Sequence, residues 1–375
     1  AFMPGLANPC IGPGSVAAPP ICLPFVHLIS GWHMFSDEAL GFLKRVKHVE
    51  VRGGDGCFDD WDGDTGAAKW VKSFGRPPAQ DSIIMTHCNK LLSWYPAFAG
   101  RYTSAWGKSY GPCKTEHVAK GGDYYGEYMW PICRPRALQA HDQAMGTGGA
   151  GHEATPPFVL RTLYGSKVRV VSALRHPLDR VETSFWLHQH YPRKYGVSPE
   201  GLHAYLQEQM GAFDACAAKH GVRRCAHLFE LLGEEQSDIF FHCDQIIRSI
   251  YAPFVEDWHA ALGEASLLVL KVDDLLDRPD ASRARLVNFL GLPPSAIAGL
   301  PAPSASYTAL HASSLKAGNA HPMRADTRRM AEAFFGKDLD RLAALIPSVT
   351  WPHGSTVVDG AGIARAASGS HTSRA

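Results

Sequence analysis

Residues 167–186, KVRVVSALRHPLDRVETSFW, place a cation and two hydroxyls where a strand would meet a helix. The run 168–174 is apolar and rich in β-branched residues, which predicts a buried strand. Arg175 follows it, and Thr183 and Ser184 come two helical turns later. Ligands of parallel α/β sheets bind beyond the carboxyl ends of strands, and a guanidinium fits a phosphate. The stretch therefore predicts an anion site, with a surface ion pair of Arg175 as the alternative.

The elements that must position these residues alternate between strand and helix. Pro177 favours a helix start whose free N–H groups would also attract an anion. Strands are predicted at 25–30, 81–86, 168–174 and 266–272, and helices at 37–49, 178–190, 200–220, 244–262, 280–290 and 325–346, the last with a break at Gly336. This alternation predicts an α/β domain of three layers, with a mostly parallel central sheet covered on both faces.

Two other motif matches fail in their context. GTGGAG (146–151) fits G-x-G-x-x-G but follows a helical pattern, so it predicts a flexible loop rather than a dinucleotide site. The aspartates at 60–64 imitate the start of a calcium loop, yet Thr65 and Val71 replace its glycine and its bidentate glutamate. These aspartates predict a solvated acidic turn. No metal site is expected, and the common signatures of nucleoside triphosphatases, serine hydrolases and zinc proteases are absent from the sequence.

Composition limits the partners. The 375 residues are 45% hydrophobic. The charges of 37 basic and 36 acidic residues nearly cancel, so the protein has no strong net positive charge that would favour binding to nucleic acid. No apolar run approaches the ~20 residues that span a bilayer, which predicts no membrane contact by this segment. The sequence begins at Ala1, which leaves room for an upstream signal or membrane anchor.

The nine cysteines show no C-x-x-C spacing, which disfavours a zinc knuckle or a thioredoxin-like site. Their number fits either a reduced protein or a secretory one with a few disulfide bonds. Cys10–Cys22 and Cys216–Cys225 are candidate pairs that would each close a short loop.

The segment LRHPLDRVETSFW resembles the L-R-[ND]-P-x-x-R-x-x-S pattern of carbohydrate sulfotransferases. Further segments resemble that family in the same order along about 200 residues: EATPPF (153–158), IYAPFVEDWHAAL (250–262), the strand, acidic turn and helix of 267–293, and the closing helix of 323–346. CLPFVHLISG (22–31) is most similar to the N-acetylgalactosamine 4-sulfate 6-O-sulfotransferase type. The resemblance implies a P-loop-related sulfotransferase fold.

The resemblance also implies a co-substrate, 3′-phosphoadenosine 5′-phosphosulfate, and residues that hold it. Arg175 and Thr183, with Ser184 as a substitute for Thr183, would bind its 3′-phosphate. Lys316 and Gly318, in SLKAG, would close over the nucleotide.

The loop after the first strand departs from the family pattern P-K-x-G-T-T. His33 stands in place of the lysine, Phe35 in place of the glycine, and Ser36 and Asp37 in place of the threonines. A protonated His33 would supply the missing cation, and Ser36 would lie near the 5′-phosphosulfate. Phe35 and Asp37, by contrast, would crowd and repel this ligand.

A hydroxyl that attacks sulfur needs a general base within hydrogen-bond reach. The family takes it from a K-E-x-H-[FW]-[FW] segment, of which only Glu50 has a counterpart here. Glu50 is therefore the predicted base, with Asp59 or Asp60 as alternatives. The non-catalytic interpretation of each is an ordinary surface carboxylate.

We therefore expect an irregular lead-in over 1–21, one sulfotransferase-like domain over 22–350 and a disordered tail over 351–375. The expected activity is transfer of a sulfuryl group to a glycan hydroxyl in the Golgi lumen or secretory pathway. The Trp and Tyr residues of 92–130 would either stack on sugars or pack as the core of their loops. The alternative is a non-catalytic protein of the same fold that binds a glycan or a nucleotide. A small-molecule kinase is disfavoured by the absent Walker motif.

Overall fold

The fold was analysed in a computed structural model of the chain. It describes residues 8–12, 20–31, 33–52, 70–74, 78–79, 82–88, 91–93, 104–121, 155–188, 190–232 and 245–351, together with 133, 136, 139–140 and 143.

The centre of the molecule is a five-stranded parallel sheet. A two-stranded antiparallel pair, β1 (Cys10–Ile11) and β2 (Ile21–Cys22), precedes it. The sheet itself contains β3 (Val26–Ile29), β4 (Val49–Val51), β5 (Ile83–Cys88), β6 (Arg169–Leu174) and β7 (Leu267–Lys271). Its strand order is β4-β5-β3-β6-β7. The predicted mostly parallel sheet is confirmed.

Helices cover both faces of this sheet. They are α1 (Ser36–Leu40), α2 (Ser104–Ala119), α3 (Pro156–Tyr164), α4 (Pro177–Leu187), α5 (His190–Tyr195), α6 (Pro199–His220), α7 (Val222–Leu232), α8 (Ala252–Leu262), α9 (Val272–Asp277), α10 (Pro279–Phe289), α11 (Tyr307–Ala317) and α12 (Ala325–Leu345). Successive strand residues alternate between two apolar clusters: Val170 and Leu174 of β6 belong to one, and Val171 and Ala173 to the other. The fold is therefore a three-layer α/β domain.

Strand register places the functional residues at one edge. β3 pairs with β6 so that Ile29 lies opposite Ser172, and β6 pairs with β7 so that Leu174 lies opposite Lys271. Arg175 and the loop after β3 therefore meet at the carboxyl edge of the sheet, where ligands of such folds bind.

Two predicted elements have different shapes in the structure. The segment predicted as one helix over 37–49 consists of the short α1, a 3-10 turn (Gly41–Arg45) and the start of β4. The helix α12 runs through Gly336 without a break. Gly336 has nothing within 4 Å of a would-be Cβ, so no packing constraint interrupts the helix there.

The ends of the chain are more ordered than expected where they are described. Asn8 donates to the Ser82 carbonyl oxygen at 2.8 Å and accepts from the Ile84 N–H at 2.7 Å, so the lead-in is fastened to β5. Trp351 is only 7% exposed and contacts the His176 ring edge-on. Trp351 therefore packs against the domain, whereas residues 352–375 of the predicted tail lie outside the described residues.

Disulfide bonds staple loops of the chain. Both predicted pairs, Cys10–Cys22 and Cys216–Cys225, are present, Cys113–Cys133 is another pair between described residues, and Cys88 is also disulfide-bonded. Among the described residues, no helix is both long and apolar enough to cross a membrane.

Candidate functional site

Arg175 is the centre of the predicted anion site and is completely buried. Its Nε donates to the Tyr307 hydroxyl at 3.1 Å, and one terminal nitrogen donates to the His33 carbonyl oxygen at 2.9 Å. The other terminal nitrogen donates to Thr183 Oγ1 at 2.9 Å and to His311 Nδ1 at 2.5 Å. The structure therefore joins Arg175 and Thr183, but protein groups already accept four of the guanidinium hydrogen bonds.

Ser184 is not part of this cluster. Its hydroxyl donates to the backbone carbonyl of Arg180 at 2.9 Å, one turn earlier in α4. Thr183 is one residue away and points to Arg175 instead, because neighbouring helical positions differ by about 100° in direction. The geometry favours Thr183 over Ser184 as the hydroxyl partner of Arg175.

The loop after β3 covers one face of the Arg175 guanidinium. The Phe35 ring centre lies 3.9 Å from the Arg175 guanidinium carbon, which is a close cation–π contact. Phe35 has φ 56° and His33 has φ 62°, both in the left-handed region that favours glycine. Phe35 therefore has the backbone conformation that favours glycine, at the position where the carbohydrate sulfotransferase pattern has glycine. Its ring lies against Arg175, in space that a glycine would leave open.

A buried acidic network stands behind Arg175. Asp179 accepts from the Tyr307 hydroxyl at 2.8 Å, and Asp179 and Glu182 lie 4.0 and 3.7 Å from His311 Nε2. Burial and the neighbouring Asp179 raise the pKa of Glu182 to about 7. Burial opposes ionisation of Asp179 as well, but His311, His176 and Arg175 together hold the pKa of Asp179 below its usual value. Arg175 is thus linked to Asp179 through one hydroxyl.

Asp179, Glu182 and His311 also have ligand atoms within 4.8 Å of one another, as a metal site would require. Arg175 can only donate, so the Nδ1 atom of His311 is the acceptor and its Nε2 carries the hydrogen in the neutral ring. A metal would need the lone pair of Nε2, and metal-bound histidines normally donate from the other nitrogen. The hydrogen-bond pattern therefore favours a proton-bearing network over a metal site.

A cavity of about 450 Å³ opens beside this cluster, at the carboxyl end of β3. It is lined by Gly31, His33, Met34, Phe35, Ser36, Asp37, Glu38, Leu187 and His188. The Ser36 hydroxyl donates to the Ser30 hydroxyl at 3.1 Å. The predicted residues His33 and Ser36 therefore lie in one cavity, next to Arg175.

His33 does not supply the cation expected of it. Burial lowers its pKa to about 3, helped by the positive charges of Arg180, Arg175 and Arg248 and by the neighbouring His188. His33 is neutral near pH 7, so the positive charge comes from arginines outside the loop.

Two of these arginines are functional candidates that sequence reasoning missed. Arg180 is fully buried and donates to the carbonyl and amide oxygens of Gln245 and to Ser249 Oγ. Its Nε lies 4.0 Å from the position a Cβ would take on Gly31, at the cavity wall. Arg180 belongs to the motif and could have been found; Arg248 comes from a distant segment with no motif of its own.

Glu50 is remote from this cavity. It lies opposite Ile84 on the edge strand β4, a level that precedes the first residue of β3. Five residues along the strand and two strand spacings separate it from Ser30, a distance of roughly 20 Å. Its carboxylate is occupied by Arg52 and by the Ala79 N–H. The geometry does not support Glu50 as the base, and Asp59 and Asp60 lie outside the described residues.

A histidine–carboxylate pair lies at the cavity instead. His87, at the end of β5, has Nδ1 at 3.3 Å from Oδ1 of Asp37, and Asp37 lines the cavity. The sequence offered one signal for it, because His87 follows a predicted strand whose carboxyl end must reach the same edge as Arg175.

The SLKAG segment ends α11 and packs against α4. A Cβ on Gly318 would come within 2.7 Å of Trp186 Cβ, so glycine permits this close approach. Lys316 is exposed on the outer side of α11. The GTGGAG glycines and the aspartates of 60–64 lie outside the described residues, as do most of the aromatic residues of 92–130.

Comparisons with known proteins give similarity to solved structures only. No protein-family model matches the sequence, and no curated protein matches it significantly. Among solved structures, the chain is similar to a sulfotransferase from Alicyclobacillus acidocaldarius, with 13% identity, a TM-score of 0.45, and coverage of 87% of this chain and 97% of that one.

Proposed function

We propose that this protein is a sulfotransferase that moves a sulfuryl group from 3′-phosphoadenosine 5′-phosphosulfate to a glycan hydroxyl. The observation that carries the proposal is the Arg175–Thr183 pair at the carboxyl end of β6, beside a cavity formed by the loop after β3. A guanidinium and a hydroxyl can hold one phosphate, and the neighbouring cavity would hold a second anionic group. This arrangement suits a nucleotide that carries phosphates on both its 3′ and its 5′ position. The glycan acceptor and the Golgi location rest on the sequence resemblance alone.

The residues fit this co-substrate in part. Arg175 and Thr183 have the donors that a 3′-phosphate requires, and Ser36 would face the 5′-phosphosulfate in the cavity. Arg180 and Arg248 would contribute the positive field there in place of the family's lysine. In the conformation described, however, Phe35, Tyr307 and His311 cover Arg175.

Sulfuryl transfer breaks the bond between sulfur and the bridging phosphate oxygen and forms one between sulfur and the acceptor oxygen, whose proton goes to a base. His87 is our candidate for that base, because its partner Asp37 both lines the cavity and orients the imidazole.

Titration calorimetry with adenosine 3′,5′-bisphosphate tests the binding site. Wild type is expected to bind it with micromolar affinity and to bind adenosine 5′-monophosphate much more weakly, because only the bisphosphate reaches Arg175. Thr183→Val is expected to weaken binding of the bisphosphate by about tenfold or more, the usual effect of losing one hydrogen bond to a charged group.

Thr327→Val is the matched control, since Thr327 is equally buried and hydrogen-bonded, but to His203. Its affinity for the bisphosphate should equal that of wild type. Absence of binding by folded wild-type protein would refute the sulfotransferase proposal.

His87→Asn tests the base. We expect it to reduce transfer of radiolabelled sulfur to chondroitin-type acceptors by about 10²–10⁴-fold, with unchanged affinity for the bisphosphate. Glu50→Gln, measured beside it, is expected to retain activity because Glu50 is remote. The opposite ranking of these two variants would reinstate Glu50.

A non-catalytic nucleotide- or glycan-binding protein is the second candidate. The neutral His33 and the Phe35 ring over Arg175 favour it. Binding of the bisphosphate without any sulfuryl transfer to a broad panel of glycans would support this candidate over the enzyme.

A further inference from the structure

The helix α11 occupies the position where a phosphate would contact Arg175. Tyr307 and His311, four residues apart on one face of α11, accept from Nε and from a terminal nitrogen of the guanidinium. Thr183 and the His33 carbonyl oxygen accept the other hydrogen bonds and belong to different elements. Withdrawal of α11 alone would therefore leave Arg175 with Thr183 and free the donors that Tyr307 and His311 occupy.

The contacts from α11 are weaker partners for a buried cation than a phosphate would be. All four acceptors of Arg175 are neutral, and Asp179 reaches it only through the Tyr307 hydroxyl. A guanidinium gains roughly twice as much from an ionised acceptor, and a phosphate offers several oxygens in a matching geometry. A phosphate monoester is thus chemically able to replace both side chains.

One side of α11 is exposed, and its contacts at both ends are few in number among the described residues. Tyr307, His311 and Leu315 face the interior, whereas Ala309, Ser313 and Lys316 are exposed, so no described element covers the outer side of the helix. At the amino end of α11, the Tyr307 N–H donates to Asp277 at 2.8 Å. At its carboxyl end, Gly318 abuts Trp186 and Asn319 has φ 51°, a turn in the left-handed region.

We propose that α11 is a displaceable cover whose Tyr307 and His311 side chains occupy the Arg175–Thr183 site, and that a phosphate monoester binds there by displacing them. This inference rests on the proposed function for the identity of the ligand, the 3′-phosphate of a nucleotide. The affinity of the ligand is then reduced by the fraction of molecules in which α11 is closed.

The test is a variant that binds more tightly. Tyr307→Phe keeps the ring but removes the hydroxyl that joins Arg175 to Asp179, so the closed state loses two hydrogen bonds. We expect its affinity for adenosine 3′,5′-bisphosphate to rise by about tenfold. Its affinity for adenosine 5′-monophosphate should not change. Ser313→Ala, on the exposed face of the same helix, is the control and should bind as wild type does.

Hydrogen exchange gives an independent readout. Adding the bisphosphate should accelerate amide exchange in α11 and expose the bond after Lys316 to trypsin, without similar effects in α12. Unchanged Tyr307→Phe affinity together with unchanged or slower α11 exchange would overturn the inference while leaving nucleotide binding intact. If inorganic phosphate opens α11 but no nucleotide binds, the inference stands and the sulfotransferase proposal fails. If neither probe binds or opens α11, both fail.

Discussion

Replacing Arg175 with alanine is expected to lower the free energy of unfolding by about 4 kcal/mol at pH 7, the usual cost of removing one partner from a buried charged network. Asp179 and Glu182 would remain buried, and Tyr307 and His311 would lose their shared donor. Binding of the bisphosphate should disappear in the same variant. Urea unfolding followed by tryptophan fluorescence measures the first effect and calorimetry the second.

The destabilisation should also depend on pH in a defined direction. Without Arg175 the pKa of Glu182 rises further above its value in the unfolded chain, and the pKa of Asp179, which Arg175 helps to hold below its usual value, rises as well. Carboxyl groups with raised folded-state pKa values are least unfavourable when they are protonated. The difference in free energy of unfolding between Arg175→Ala and wild type should therefore become smaller as the pH is lowered from 7 to 5.5.

Arg283→Ala is the comparison for this variant. Arg283 is nearly as buried, at 6% exposed, but stacks over Phe42 away from the acidic network. We expect a smaller loss of stability that is the same at both pH values. An equal loss in the two variants would mean that Arg175 contributes only packing.

The second large effect is acid sensitivity of the wild type. Burial lowers the pKa of five of the described histidines, to about 3 for His27 and His33, to about 4 for His227 and His311, and in the same direction for His176. Their ordinary pKa is 6.5, so the unfolded chain takes up protons that the folded chain refuses. Stability is therefore fully present above pH 6.5 and is lost as pH falls towards the folded-state values.

Buried carboxyl groups with a raised pKa act in the opposite sense. Burial raises the pKa of Glu182 and Asp338 to about 7, so the folded chain is stabilised when they take up protons between pH 7 and the unfolded-state values. Each group changes stability by about 2 kcal/mol between pH 7 and pH 5. The four histidines with a pKa of about 3 or 4 outweigh the two carboxyls with a pKa of about 7, so we expect a net loss of about 4 kcal/mol over this interval.

A single histidine variant separates this mechanism from general acid denaturation. His27, in the central strand β3, is fully buried between the Trp70 and Tyr164 rings. His27→Phe should reduce the loss between pH 7 and pH 5 by about 2 kcal/mol and move the acid midpoint to lower pH. The exposed His321→Asn should leave the profile unchanged. Identical acid profiles for His27→Phe and wild type would refute the assignment.

The contrast between the two bases shows the limit of motif reasoning. Glu50 was selected because of its place in the chain, soon after the first strand. His87 lies within reach of Asp37, which lines the cavity, because β5, and not β4, is the neighbour of β3 in the sheet. Strand order depends on contacts between distant segments, which no local pattern reports.

The sequence by itself determined the strands and the main site pair. The β-branched runs that become β3, β6 and β7 can be read locally, because buried parallel strands need continuous apolar residues. Arg175 and Thr183 are eight residues apart, so they can contact each other within a single strand–turn–helix unit. The cysteine pairs Cys10–Cys22 and Cys216–Cys225 are also local, because each closes a short loop.

Only the tertiary structure decided which side chains cover the Arg175–Thr183 pair and which groups near it carry a charge. Tyr307 and His311 reach Arg175 from more than 130 residues away, and Phe35 reaches it from across the sheet edge. Burial lowers the pKa of His33 to about 3, so His33 stays neutral at mildly acidic pH, where its residue type alone would predict a cation. These features depend on long-range packing and desolvation, because both are properties of the assembled fold and not of any one segment.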